Sequence, residues 1–267
     1  MGRNRKYLLV SIVWAIIRSM EFMAFSRGKE SMTSILINIG LGQPHFSTGY
    51  MTLIFYDLFP IILFQMIFGV SIYQHFCIAN AYYFSRLSNK LKWYKNEVLI
   101  LLSFAVIYFI LYIGTTVGIM YITNCGYFDS ETLVTMFYVF AYESIFTFAF
   151  TLLINIISII FGSHNSFVIV FSIQVFCISS LLIFNDFLSL KGVGGLLFKL
   201  NPISNLIFSW HSSDNAMLNS KINIHSIHFS LNSSLLYLVI ISSIVVISGA
   251  LLIKKVDIAL ENKEVQG

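Results

Sequence analysis

Apolar residues arrive in long blocks along this chain, separated by short polar stretches. Segments such as 98–121 and 235–253 are apolar on every helical face. That pattern fits neither a half-buried strand nor a helix lying with one side on a soluble core. A bilayer core of about 30 Å is crossed by about 20 helical residues at about 1.5 Å each. In lipid every backbone N–H and C=O must be satisfied internally, so only helices or closed barrels span. Barrel strands would alternate apolar and polar over short runs. The blocks therefore predict an all-α polytopic membrane protein, one transmembrane domain over 1–267, with spans near 7–25, 50–82, 98–122, 133–161, 167–184 and 234–253. The first block contains Arg18 and Glu21 and has no small-residue cleavage pattern. It reads as a retained span rather than a signal peptide.

Composition agrees. The chain is 57% hydrophobic and 10% charged, where a soluble protein carries about 25% charged residues. A diffuse net charge of +4 gives no nucleic-acid footprint. The placement of the charge is more informative. Of the 16 basic residues, Arg3, Arg5, Lys6, Arg86, Lys90, Lys92, Lys95, Lys254, Lys255 and Lys263 fall on one side of the six-span layout. Arg27, Lys29, Lys191, Lys199 and Lys221 fall on the other. The positive-inside rule makes the first side cytoplasmic, with both termini there. The richness in Ile, Phe, Asn, Ser and Lys suggests a bacterial cell membrane. Cys77, Cys125 and Cys177 are far apart and form no disulfide or metal pattern. His211, Asp214, His225 and His228 show no zinc-site spacing and read as surface-loop residues.

Two segments depart from simple crossing helices. A continuous helix over 50–84 would be about 50 Å long, so it must tilt, kink near Pro60 or project into the cytoplasm. The segment 185–233 holds short apolar pieces, Gly195–Phe198 and Leu206–Phe208, around Asn201-Pro202. They are too short to cross, and re-entrant or interfacial helices are expected there. No internal repeat is visible, which weighs against an inverted-repeat transporter.

The segment between spans two and three is basic and aromatic, running Tyr82-Tyr83-Phe84-Ser85-Arg86-Leu87-Ser88-Asn89-Lys90-Leu91-Lys92-Trp93-Tyr94-Lys95. Leu87, Leu91 and Tyr94 share one helical face, and Arg86, Lys90 and Trp93 a neighbouring one. Either a cytoplasmic anchor or a docking helix fits. The layout, this segment and Asn201-Pro202-Ile203-Ser204 together resemble the permease subunits of ABC exporters in the type-two export family, the type V exporters, including small bacterial peptide, bacteriocin and lantibiotic systems. The resemblance implies six spans, a coupling helix at 83–97 and re-entrant helices before span six. It also implies a separate ATPase in two copies and a second permease chain, as a homo- or heterodimer in the lipid bilayer. ATPase-coupling residues would then be Arg86, Leu87, Lys90, Leu91, Trp93 and Tyr94. ATP and Mg would belong to the partner. This chain has no Gly-x-x-x-x-Gly-Lys-Ser/Thr phosphate loop, and no catalytic, cofactor or metal residue is expected in it. One departure from the pattern is that only six residues precede span one, without a separate amphipathic connecting helix.

Intramembrane polar residues are the remaining candidates. Arg18 and Glu21, at i and i+3, can pair within span one, near the outer interface. Glu143 has no basic neighbour in its helix and is expected to be protonated, to bond across a helix interface or to line a wet path. Asp57 is expected at the interface. Gln65, Gln74, Asn155 and Gln174 read as interhelical hydrogen-bonding residues. Alternatives to an ATP-driven permease are an intramembrane enzyme and an ATP-independent bacteriocin-immunity protein. No Glu-Glu pair, His-Glu-x-x-His or Gly-x-Ser-x-Gly motif supports an enzyme. The topology is tested by single cysteines at Lys92 and Lys221, which should label from opposite faces of the membrane. Labelling from the same face would refute six spans.

Overall fold

The computed structural model of the chain describes residues 8–25, 28–42, 48–82, 90–185, 199–222 and 229–255. Its helices run α1 (Leu9–Phe25), α2 (Met32–Ile39), α3 (Thr48–Asp57), α4 (Phe59–Phe68), α5 (Ser71–Tyr82) and α6 (Lys90–Ile122). They continue as α7 (Thr132–Phe161), α8 (Ser163–Asn185), α9 (Ala216–Ile222) and α10 (Leu231–Lys255). Two-residue strands pair in parallel, β1 (Glu30–Ser31) with β2 (Gly126–Tyr127) and β3 (His211–Ser212) with β4 (Phe229–Ser230). The chain is all-α in architecture. Five helical stretches are long and apolar enough to cross a membrane: Phe59–Cys77, Lys90–Ile122, Thr132–Phe161, Ser163–Leu181 and Leu231–Lys255. The expected first span is represented by the 17 residues of α1, about 25 Å of helix.

Helix α7 is the axis of the bundle. Of its most apolar stretch 67% is buried, against 17% for α10, and α2, α4, α5, α6, α8 and α10 all pack on it. Its sequence explains this position. Thr132, Thr135, Ser144, Thr147, Thr151, Asn155 and Ser158 are all buried, and small hydroxyl residues let neighbouring backbones approach closely in a membrane bundle. Helix α10, by contrast, leaves Leu236, Ile240, Ile244, Ile247 and Leu251 on the surface, as a lipid-facing helix would.

A single residue turns α7 into α8. Gly162 has φ 80°, a left-handed conformation that glycine alone adopts at little cost. Its N–H donates to Ser158 O at 2.9 Å. The hydroxyls of Ser158 and Ser166 meet at 2.6 Å and close the hairpin.

The long second block is divided rather than continuous. Its first interruption follows Asp57, where Pro60 stands in the first turn of α4. Proline removes a helical N–H and its ring crowds the preceding turn. The second lies at Gly69-Val70, and here the chain solves the problem that lipid poses for broken helices. Asn155 of α7, fully buried, accepts from Ile72 N at 2.8 Å and Tyr73 N at 3.2 Å. It donates to Phe68 O at 3.0 Å and Thr151 O at 2.9 Å. One amide thus serves the last carbonyl of α4 and the first turn of α5, groups that a helix end leaves without partners. Gly69 lets the break come this close to α7 and α8, since a Cβ there would lie 3.2 Å from Ile154 Cγ2 and 2.8 Å from Phe167 Cζ.

At the end of the bundle opposite Lys90 and Lys255, two buried segments cover α7. Helix α2 is eight residues long, about 12 Å, far too short to cross. Its N-terminus is capped by Ser31, whose hydroxyl accepts from Ser34 N at 3.2 Å. Phe208 N donates to Gly40 O at 2.9 Å, joining α2 to the segment before β3. In that segment Asn201 Nδ2 donates to Cys177 O at 2.8 Å and Ser180 Oγ at 3.0 Å, while its Oδ1 accepts from Ile203 N at 2.8 Å. The Asn-Pro motif therefore staples the buried Ile203, Leu206, Ile207 and Phe208 to α8. Residues 186–198 and 223–228 lie outside the described residues. Of the short re-entrant or interfacial helices expected near 195–198 and 206–208, the first lies outside the described residues and the second is a run of turns leading into a three-residue 3-10 helix, Phe208–Trp210; α2, in a stretch expected to be a connector, was not foreseen.

Replacing Asn155 by Leu should lower unfolding stability by about 2–5 kcal/mol, because several backbone groups lose their partners at once. Denaturation of the purified protein in mild detergent measures it, and an unchanged midpoint would refute the role given to this amide.

Candidate functional site

Helix α1 turns Leu9, Val13, Ile16, Ile17 and Met20 outward and buries Ser11, Ala15, Arg18 and Ser19. Two of its hydroxyls close on their own helix, Ser11 Oγ to Leu8 O at 2.7 Å and Ser19 Oγ to Ala15 O at 2.8 Å. Arg18 instead reaches across to another helix. Its Nη2 donates to Asp57 Oδ1 at 2.7 Å and its Nη1 to Glu21 Oε2 at 2.9 Å. The guanidinium lies 4.7 Å from the Tyr56 ring centroid and 5.2 Å from that of Phe22. Tyr56 OH donates to the same Glu21 oxygen at 2.8 Å. Trp14 packs at 5.4 Å on Tyr56 and 4.5 Å on Phe59.

Glu143 approaches from α7. It is 5% exposed and lies within electrostatic reach of Asp57 and Arg18. Tyr112 of α6, also buried, lies within reach of Glu143, Arg18 and Asp57, and Tyr108 within reach of Glu143. Among the described residues Glu143 Oε2 has no hydrogen-bond partner, and neither do Oγ of the adjacent Ser144 and Oγ1 of Thr147 one turn along the same helix. Thr151 and Ser158, further on, bond back to Thr147 O and Ile154 O. Exposure is graded across the cluster: the side chain of Glu21 is 36% exposed, that of Arg18 9% and that of Asp57 4%.

One guanidinium thus stands among three carboxyl groups. Burying a lone charge is costly, and Arg18 and Asp57 offset this by pairing. Arg18, Glu21, Asp57 and Glu143, expected separately from sequence, converge here from three stretches of the chain. The Arg18–Glu21 pair is present as expected. Asp57, expected at the interface, is buried in the protein, because the last turn of α3, just before Pro60, meets α1 at Arg18. Tyr56 and Tyr112 were not foreseen. Tyrosines in aromatic-rich apolar blocks give no sequence signal beyond, for Tyr56, adjacency to an acid.

The expected coupling segment falls differently. Arg86 and Leu87 lie outside the described residues. Lys90, Leu91, Trp93 and Tyr94 form the first turns of α6, continuous with the span. Leu91 is exposed, and Trp93 packs 6.0 Å from Phe76. Tyr94 is corrected from a docking residue to a packing one. It is 3% exposed, and its hydroxyl donates to Val246 O of α10 at 3.1 Å.

A second polar centre ties the far end together. Asp129 accepts from Lys221 Nζ at 2.5 Å, from Thr33 Oγ1 at 2.5 Å and from the Thr132 hydroxyl. Burial opposes its charge, yet these hydrogen bonds hold its carboxyl well below the usual carboxylate range. His211, expected in a surface loop, is buried beside Tyr142 and Phe208, with ring centroids 5.3 and 5.9 Å away. Its Nδ1 lies 2.9 Å from Ile207 O. Burial pushes the imidazole down to about 4, against hydrogen bonds to the backbone of Ile207 and Phe208, so it is neutral at pH 7. Among the described residues no group of three or more His, Cys, Asp or Glu is placed to hold a metal ion. His225 and His228 lie outside them.

The fold and this cluster define a class: a helical membrane protein with an ion-paired centre buried between its helices. Comparison with known proteins adds nothing narrower, since no family model, curated protein or solved structure matches the chain.

Arg18→Gln should cost about 3–5 kcal/mol of stability, since it strands a buried Asp57. Glu21→Gln, at the open edge, should cost about 1 kcal/mol or less. The double change Arg18→Met with Asp57→Leu should recover most of the loss. Detergent-based unfolding of the three variants measures the order, and equal losses for Arg18→Gln and Glu21→Gln would refute the graded burial of the cluster.

Proposed function

We propose that this chain is the transmembrane permease subunit of an ATP-driven ABC exporter, moving an amphipathic peptide or other hydrophobic cargo out of the cell or its membrane. The observation that carries the proposal is the length of α6. Its 33 residues make about 50 Å of helix against about 30 Å of hydrocarbon. The excess is at the Lys90 end, where Lys92 and Lys95 are exposed and Leu91 offers an apolar contact. A rigid, basic extension of a spanning helix is a lever on which a cytoplasmic ATPase can act. In this reading ATP and Mg stay in the two ATPase subunits, a second permease chain completes the path, and both termini face the cytoplasm.

Two further features support the reading. The second block is broken at Pro60 and Gly69, and broken helices whose ends are satisfied by neighbours occur where a membrane protein encloses a cavity or moves. The segments around α2 and 201–211 cover the far end of the axis helix, as a re-entrant cap over an outward path would. Coupling further requires that the ATPase contact the lever differently in its two nucleotide states.

Affinity purification of the tagged chain in mild detergent tests the proposal. A stoichiometric partner with a phosphate loop is expected to co-purify, and Leu87→Glu with Leu91→Glu should leave insertion intact while uncoupling ATP hydrolysis from transport. A chain that purifies alone across several detergents would overturn the ABC proposal and favour an ATP-independent immunity protein or an intramembrane enzyme.

A further inference from the structure

We propose that Glu143 is an exchangeable proton-binding site, reached from the far end of the bundle through Glu21 and Asp57. The inference stands on charge and geometry and does not depend on an ATPase partner.

Arg18 is the cation of the cluster, and both of its arms are taken, one by Asp57 and one by Glu21. Glu143 is therefore a third carboxyl, buried and with no ion-pair partner among the described residues, within electrostatic reach of Tyr108 and Tyr112 of α6. Its Oε2 makes no hydrogen bond among the described residues. An ionised carboxylate so placed would bear the desolvation penalty uncompensated, and a group in that position neutralises instead. A proton is the ligand that needs no cavity.

The surroundings of Glu143 bear this out on every side. Helix α1 presents Arg18, α3 presents Asp57, and α6 presents Tyr108 and Tyr112, with Glu21 and Tyr56 one contact further out, on Arg18. Helices α2 and α4, also packed on α7, carry no titratable side chain. The other titratable groups on helices packed against α7 include Tyr142 on α7 itself, Tyr73, His75 and Cys77 on α5, His164 and Cys177 on α8, and Tyr237, Lys254 and Lys255 on α10, and among the described residues Arg18 is the cation whose charge acts on Glu143. Arg18 is thus the cation that Glu143 can compete for.

That competition gives the site two discrete arrangements. With the proton on Glu143, Arg18 holds Asp57 and joins α1 to α3. When the proton passes from Glu143 Oε to Asp57 Oδ, one O–H bond breaks and one forms, and the negative charge moves to α7. Arg18 then loses its attraction to α3 and gains one to α7. Uptake from water enters at Glu21, the most exposed carboxyl of the cluster, so loading and unloading the proton changes which helices the guanidinium joins.

The test uses the intact chain in lipid nanodiscs and infrared difference spectra recorded as pH is stepped, in water and in D2O. Glu131, the other buried glutamate among the described residues, is changed to Gln throughout. The expected result is a carboxylic-acid C=O band that grows as pH falls and shifts down in D2O. It should be lost in Glu143→Gln and displaced in its titration in Asp57→Asn. Should Glu143→Gln fail to fold, glutamate labelled with 13C at the side-chain carboxyl serves in its place and should shift the band without any change at position 143. A band that persists unchanged in Glu143→Gln, that ignores the glutamate label, or that neither titrates nor exchanges with D2O would overturn the proposal.

Discussion

Inside the bundle, polar groups must find their partners in the protein itself, and two side chains meet the largest demands of this kind. Asn155 accepts two backbone N–H groups and donates to two carbonyls where the second block is broken. Arg18 holds two carboxylates and lies over two aromatic rings. Without the first, the break between α4 and α5 would expose helix ends to an apolar medium. Without the second, Asp57 would be a lone buried charge. Both residues join helices distant in sequence, so the arrangement of α1, α3, α4, α5 and α7 follows from satisfying them.

The axis helix shows how the same demand shapes packing. Helix α7 carries a run of small hydroxyl residues, and its neighbours approach closely along that run. Some hydroxyls close on their own backbone, as Thr151 and Ser158 do. Those near Glu143 do not, and that stretch of α7 is where the structure leaves polar capacity unspent. Membrane-buried ionisable residues are costly enough that a polar cluster of this kind points to a role beyond packing.

The far end works on another principle. There Asp129 gathers hydrogen bonds from Thr33, Thr132 and Lys221, joining α2, α7 and α9. His211 stays neutral under Tyr142 and Phe208, and Asn201 binds its own turn to α8. These contacts hold short segments in place that have too little length to span and too little surface to fold alone. At the opposite end the first turns of α6 leave Lys92 and Lys95 exposed.

The sequence by itself determined that the chain is helical and polytopic, because blocks of twenty apolar residues with few charges admit no other backbone solution in lipid. It also offered a kink near Pro60, beside a tilt or a cytoplasmic projection, for the long second block, and marked Arg18–Glu21 as a pair and Asn155 as an interhelical bonding residue, since proline geometry, i to i+3 spacing and buried amides are local facts. Tertiary structure decided what those residues meet. Asp57 proved to be the partner of Arg18, Glu143 came within reach of both, and Tyr94 turned inward toward α10 instead of outward. Helix α2 was invisible in the sequence because a short apolar helix and a connector have similar composition. Their difference is whether neighbouring helices leave a place to bury it, and only the packed bundle settles that.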